Sequence, residues 1–255
     1  MSYDQSEGLE DQNLTLVDHL AELRVRLVNA LLAIVVATFA CFHFAGQILD
    51  ILRKPIAPYL PQGGLIYTGP IDKFMAHIQI AVVSGVILSC PYWLWQIWKF
   101  VAPGLYKREQ KYAVGFIFSG TLLFATGVLF SYFVVLPMAF GFLMTFGGEA
   151  DKPMITIDSY LSFVTHLTLM FGAAFELPLI LVTLGMMGIV SRTFLSEKRR
   201  YAIMIMAVIS AVITPPDLLS MLLMLGPMWA LYEISVVLVG LIEKKRQAAA
   251  DSESI

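Results

Sequence analysis

Between Tyr112 and Leu136 the chain carries neither a charged side chain nor a proline. As a helix rising 1.5 Å per residue, such a run outreaches the hydrocarbon core of a bilayer, about 30 Å thick. A backbone inside lipid must satisfy its own hydrogen bonds, which confines a spanning segment to a helix or a closed barrel. Comparable apolar runs lie at about Leu27 to Ala45, Phe74 to Trp98, Tyr160 to Met187, Tyr201 to Ile213 and Leu218 to Gly240. Together they predict an all-α integral membrane protein with six transmembrane helices, the last two of them short. Composition agrees: 58% of the residues are apolar and 14% charged, against about 25% charged in soluble domains. Cys41 and Cys90 both fall inside apolar runs, too far apart by this topology to pair, and suggest neither a disulfide framework nor a metal cluster.

Residues 1–13 form a polar, acidic tail where a cleavable signal would need a basic start, so the first apolar run is expected to stay as a helix. Leu14 to Arg26 reads as a juxtamembrane amphipathic helix, with Leu16, Leu20, Leu23 and Leu27 on one stripe and Asp18 and Glu22 opposite. The loop from Gly46 to Asp72 is rich in Pro and Gly and should be ordered by turns or short helices. Trp93, Trp95 and Trp98 predict an aromatic belt at the end of the second span. A single membrane domain over 14–243 is then followed by a polar tail, 244–255, expected to be disordered. With six spans both termini share one side, which collects 13 Lys and Arg against four on the other (Arg53, Lys54, Lys73 and Lys152). That bias places both termini in the cytoplasm. Tyr201 to Ile213 is short for a span, about 20 Å, and would need a locally thinned bilayer; Gly226-Pro227 should bend the last helix nearby.

Few side chains here could carry chemistry. Phe100 to Lys111 is a basic cytoplasmic loop broken by Ala102-Pro103-Gly104, and Glu109 is its one acid. Glu109 could simply neutralise its neighbours, and Glu22 could simply pair with Arg26 one turn on. Glu176 lies deep in the fourth span, where Thr165, Gly172 and Thr183 share its face at 100° per residue; a polar stripe there should face a cavity or a partner. Glu233 is expected near the inner surface, paired with the basic loop Ser191 to Arg200, and Asp217 as the cap of the last helix. Enzyme signatures, phosphate loops and nucleic-acid features are absent from the sequence, and no cofactor is implied. From the residues alone, a proton-coupled secondary transporter using Glu176 remains an alternative, although no inverted repeat supports it.

Four motifs narrow this. His19-Leu20-Ala21-Glu22-Leu23-Arg24 with Arg26, Ala102-Pro103-Gly104-Leu105-Tyr106-Lys107-Arg108-Glu109, Phe171-Gly172 with Phe175-Glu176-Leu177-Pro178, and Thr214-Pro215-Pro216-Asp217 resemble, in order, the TatC family. That family is the multi-spanning receptor of the twin-arginine protein translocase. The resemblance implies a cupped bundle in a bacterial-type inner membrane. It implies binding of twin-arginine signal peptides of folded proteins through Glu22 and Glu109, with Leu23, Arg24 and Phe100 in the same site. It implies single-span partner subunits, TatA and TatB, contacting Ala211, Val212, Met221 and Asp217. It further implies a homo-oligomer within a receptor complex, transport driven by the proton-motive force, no enzymatic step, and sensitive positions at Pro55 and Tyr132. Under the same reading Glu176, with Thr165 and Thr183, polarises a concave pocket inside the membrane.

Overall fold

The computed structural model describes residues 16–60, 64–104, 113–146, 154–213 and 218–253. These form eleven helices longer than a single turn: α1 (Leu16–Phe42), α2 (Ala45–Leu52), α3 (Asp72–Leu88), α4 (Cys90–Val101), α5 (Ala113–Phe130), α6 (Leu136–Thr145), α7 (Ile157–Phe175), α8 (Leu177–Met186), α9 (Arg192–Glu197), α10 (Arg199–Ile213) and α11 (Leu218–Glu253). Among the described residues the only extended pairing is a parallel bridge between Ile66 and Thr156, which ties the loop after α2 to the start of α7.

Three long helical runs are interrupted, each beside a proline. Pro91 sits in the first turn of α4, and α3 and α4 meet at a 54° bend. At that break the Trp93 indole N–H and the Ser89 hydroxyl both donate to the Val86 carbonyl, at 3.2 and 3.4 Å. Pro137 cannot donate to a carbonyl one turn back, and the chain takes a wider π turn over Ser131–Val135 before α6. Pro178 opens α8, and the junction residue between α7 and α8 is Glu176. Two helix starts are capped conventionally, that of α7 with Thr156 accepting from the Ser159 N–H and that of α9 with Ser191 accepting from the Phe194 N–H.

Four helical runs are long and apolar enough to cross a membrane: His19–Phe42, Ala113–Thr145, Ile157–Met186 and Ser220–Lys245. The bent pair α3 and α4 makes a fifth if it counts as one span. At 15 residues α10 is about 22 Å long and falls short of the hydrocarbon thickness by itself.

Packing follows the rule for helices in lipid, where close approach of backbones replaces the hydrophobic drive. Gly127 of α5 lies against α7: a β-carbon there would sit 2.5 Å from the Phe171 carbonyl oxygen. Gly85 of α3 meets α1 as closely, with Thr38 backbone nitrogen 2.7 Å from where its β-carbon would be. α7 supplies the centre of the main core, with Tyr160, Leu161, Val164, Leu167 and Phe171 buried. α1 is the outermost helix, packed on α3 and α4, and Phe39 is 76% exposed on its free side.

Several expectations change. The juxtamembrane segment and the first span are one continuous helix, α1, and its leucine stripe (Leu20, Leu23, Leu27) points away from the protein while Glu22 is half-buried. The third run continues past Leu136 to Thr145. The tryptophans do not form one belt. Trp95 is exposed, but Trp93 meets Phe124 edge-on at 5.5 Å and Trp98 packs on Phe116 at 4.7 Å, filling the seam between α4 and α5. The tail expected to be disordered stays helical to Glu253, consistent with the strong helix formers at Lys244, Lys245 and Ala248 to Ala250. α11 is continuous through Pro227, the position at which a bend is expected.

The glycine contacts give a direct test. Gly127→Ala should lower the stability of the detergent-solubilised chain by about 1–3 kcal/mol, the usual range for overpacking. Gly115→Ala, with open space around it, should melt like the parent. Equal melting temperatures for the two variants would contradict the close crossing of α5 and α7.

Candidate functional site

At the end of the bundle where α1 begins, the His19 and Phe100 rings stack with centroids 4.3 Å apart and planes 16° from parallel. That contact holds the first turns of α1 against the last turn of α4. One turn beyond His19, Glu22 is half-buried and accepts from Arg26 Nη2 at 2.9 Å and Nε at 3.3 Å, both on Oε1. Leu23 and Arg24 are exposed beside it. Lys99 lies over the Trp95 ring, 3.7 Å from its centroid. The structure thus brings Glu22, Leu23, Arg24 and Phe100 to one end, and it gives Glu22 the internal partner that spacing allowed. Glu109 lies outside the described residues.

Glu176 is buried at the α7–α8 junction, and neither carboxylate oxygen has a hydrogen-bond partner among the described residues. Its Oε2 lies against α5, 3.3 Å from where a β-carbon on Gly120 would be, and Leu94 of α4 and Leu179 of α8 crowd the same point. The single polar stripe resolves into separate contacts. Thr165 accepts from the Gln79 amide of α3 at 2.9 Å and donates to the Leu161 carbonyl, Gly172 meets Phe124 of α5, and Thr183 donates to the Leu179 carbonyl. Around Glu176 the described residues form a packed four-helix junction that leaves the acid unpartnered.

At the opposite end two tyrosines close the C-terminus of α2. Tyr132, inside the π turn, donates to the Ile51 carbonyl at 2.8 Å, and Tyr160 donates to the Leu52 carbonyl. These are the orphan acceptors that a helix end leaves behind. Pro55 follows two residues after Arg53, the C-cap residue of α2, and leads into a short turn at Ala57–Tyr59. Tyr160 drew no attention in the sequence; its signal was a phenol within an apolar run.

α10 packs on α11 through the buried Met206 and Ser210, whose hydroxyl lies 3.8 Å from Met228 Sδ, and its opposite face is uncovered. Ala211 and Val212 lie on that free face, Val212 being 79% exposed, and Met221 is half-buried. Asp217 lies outside the described residues. Glu233 pairs with Arg199 at 2.8 Å, as its depth predicted. Tyr232, donating to the Leu195 carbonyl, and Glu243, accepting from the Arg192 N–H, fix α9 to α11; neither stood out in the sequence. Among the described residues no group of three or more His, Cys, Asp or Glu could hold a metal ion.

The family model of the Sec-independent protein translocase protein, TatC, matches residues 18–227. The chain belongs to the TatC family. It is 37% identical to the Sec-independent protein translocase protein TatC of Carboxydothermus hydrogenoformans over 93% of this chain and 97% of that protein. It is 41% identical to the TatC of Escherichia coli K12 over 87% and 86% of the two chains. A crystal structure of a twin arginine translocase receptor, TatC, superposes with a TM-score of 0.76 at 37% identity, covering 87% of this chain and 97% of that one. The same receptor in DDM gives 0.78. The chain is accordingly an all-helical, multi-pass membrane protein and a component of the Sec-independent translocase, with a role in transport. The family gives no support to a proton-coupled secondary transporter.

The tyrosine contacts carry a prediction. Tyr132→Phe and Tyr160→Phe should each destabilise the fold by about 0.5–1.5 kcal/mol, the range for a lost neutral hydrogen bond. Thermal unfolding in detergent measures it, and unchanged melting in both variants would exclude the capping role.

Proposed function

We propose that this chain is the signal-peptide receptor of a twin-arginine translocase, working without an enzymatic step in a bacterial-type inner membrane. The site comprises Glu22 and Glu109 with Leu23, Arg24 and Phe100, on the cytoplasmic face. The observation that carries the reading is the His19–Phe100 stack, which sets Glu22 one helical turn from the head of the loop that continues to Glu109. Carboxylates suit this cargo because a guanidinium is planar, permanently charged and presents a fork of donors. Two adjacent arginines call for two acceptors on one surface. A lysine pair supplies charge without the fork and should bind less well.

In this reading six segments cross the bilayer with both termini in the cytoplasm, and α10 crosses where the membrane thins. The uncovered face of α10, with Ala211 and Val212, together with Met221 and Asp217, takes the single-span subunits TatA and TatB. Copies of the chain associate within the receptor complex, and transport draws on the proton-motive force. Glu176 serves a later step than surface recognition. Buried without a partner, it is an acceptor available to a donor from the inserted signal or from a partner helix.

Photo-crosslinking of a twin-arginine peptide to the full chain in membranes tests the site. Glu22→Gln and Glu109→Gln should each lose at least tenfold in crosslinking yield while the protein still folds, and the twin-lysine peptide should crosslink poorly to the parent. Normal crosslinking by both variants would remove the site from this face. Glu176→Ala should keep peptide binding and lower transport in vesicles; binding lost as fully as in Glu109→Gln would refute that division of labour.

A further inference from the structure

The pair between Glu22 and Arg26 sets the proposed carboxylate ligand against a guanidinium of its own helix. Two donors of Arg26, Nη2 and Nε, converge on Oε1 at 2.9 and 3.3 Å, and both side chains are about three-quarters buried, at 24% and 27% exposed. The Nη2–Nε edge is the one a guanidinium uses to engage a carboxylate side-on. We propose that Arg26 is an internal competitor for the arginine-bearing ligand: it occupies Glu22 in the empty receptor and is displaced when a cationic peptide binds. The inference rests on Glu22 being a ligand for that peptide.

Competition of this kind has a defined size. A carboxylate–guanidinium pair four residues apart on a helix has an equilibrium constant of about two, leaving roughly a third of the molecules with Glu22 unengaged. Apparent affinity falls by the fraction that is competent, so Arg26 weakens peptide binding about threefold. The displacement is the same event whichever cation arrives. Arg26 therefore weakens twin-arginine and twin-lysine peptides by one common factor and leaves their ratio alone. Its effect is a threshold: a peptide with a single weak contact falls below useful binding, whereas one engaging two carboxylates stays above it. In the empty state the pair also orients the half-buried carboxylate along the helix, ready for a second guanidinium.

The test measures equilibrium binding of a synthetic twin-arginine peptide and its twin-lysine counterpart to the full chain in nanodiscs. The variants are Arg26→Gln, Arg26→Lys, Lys99→Gln, Glu22→Gln and the double variant Glu22→Gln/Arg26→Gln. Lys99 stands next to Phe100 in the last turn of α4 and removes the same unit of charge near the site without touching the pair. Arg26→Gln should tighten both peptides about threefold, Arg26→Lys by less, and Lys99→Gln should give a smaller gain than Arg26→Gln. In the Glu22→Gln background the Arg26→Gln gain should vanish. Weaker or unchanged binding by a folded Arg26→Gln chain, or an equal gain from Lys99→Gln, overturns the competitor while leaving Glu22 as a ligand. If Glu22→Gln alone binds like the parent, the reading of Glu22 as a ligand fails, and the competitor with it.

Discussion

Backbone contact at glycine is what this bundle depends on. In lipid a leucine gains little by leaving its neighbours for another helix, so association rests on van der Waals fit and on hydrogen bonds. Gly127 lets α5 lie on the Phe171 carbonyl, and Gly85 lets α3 lie on the Thr38 backbone. The first contact seats α7, the helix that supplies the core, and the second seats α1, the helix that carries Glu22. With α1 anchored at Thr38 and again by the His19–Phe100 stack, the position of its first turns is fixed from both directions along the helix.

Polar groups within the bundle divide into those that complete the scaffold and a few that find no hydrogen-bond partner among the described residues, Ser131, Thr168, Gln96 Oε1 and Glu176. Gln79 and Thr165 join α3 to α7, and Tyr132 and Tyr160 join the π turn and α7 to the end of α2. The two tyrosines satisfy carbonyls that the end of α2 leaves without a partner in its own helix. Glu176 has no such partner, although it sits at a junction of four helices where one could readily have been supplied. An acid left unsatisfied in a well-packed site is the mark of a group with business outside the scaffold.

The sequence showed the long helices because their signal is local, runs without charge, but it read Ser191 to Arg200 as a loop where α9 forms. It also placed Glu233 correctly, since depth along a helix follows from counting residues. What it could not show is which way a helix faces when it is apolar all round. Trp93 and Trp98 look like a belt in the sequence and turn out to fill the α4–α5 seam. Nor does composition reveal contacts between distant positions, such as Tyr132 to Ile51 or Tyr160 to Leu52. The site was half legible. Glu22 with Arg26 was foreseen by spacing, and the proximity of His19 to Phe100 was not.

α11 has a mechanical meaning that its sequence does not advertise. Its 36 residues make a rod about 54 Å long, well beyond the roughly 30 Å of hydrocarbon it has to cross. The surplus leaves the membrane still helical. Its base is braced by the contacts of Arg199 with Glu233 and of Arg192 with Glu243. Any tilt of α11 within the bilayer would be carried into that surplus.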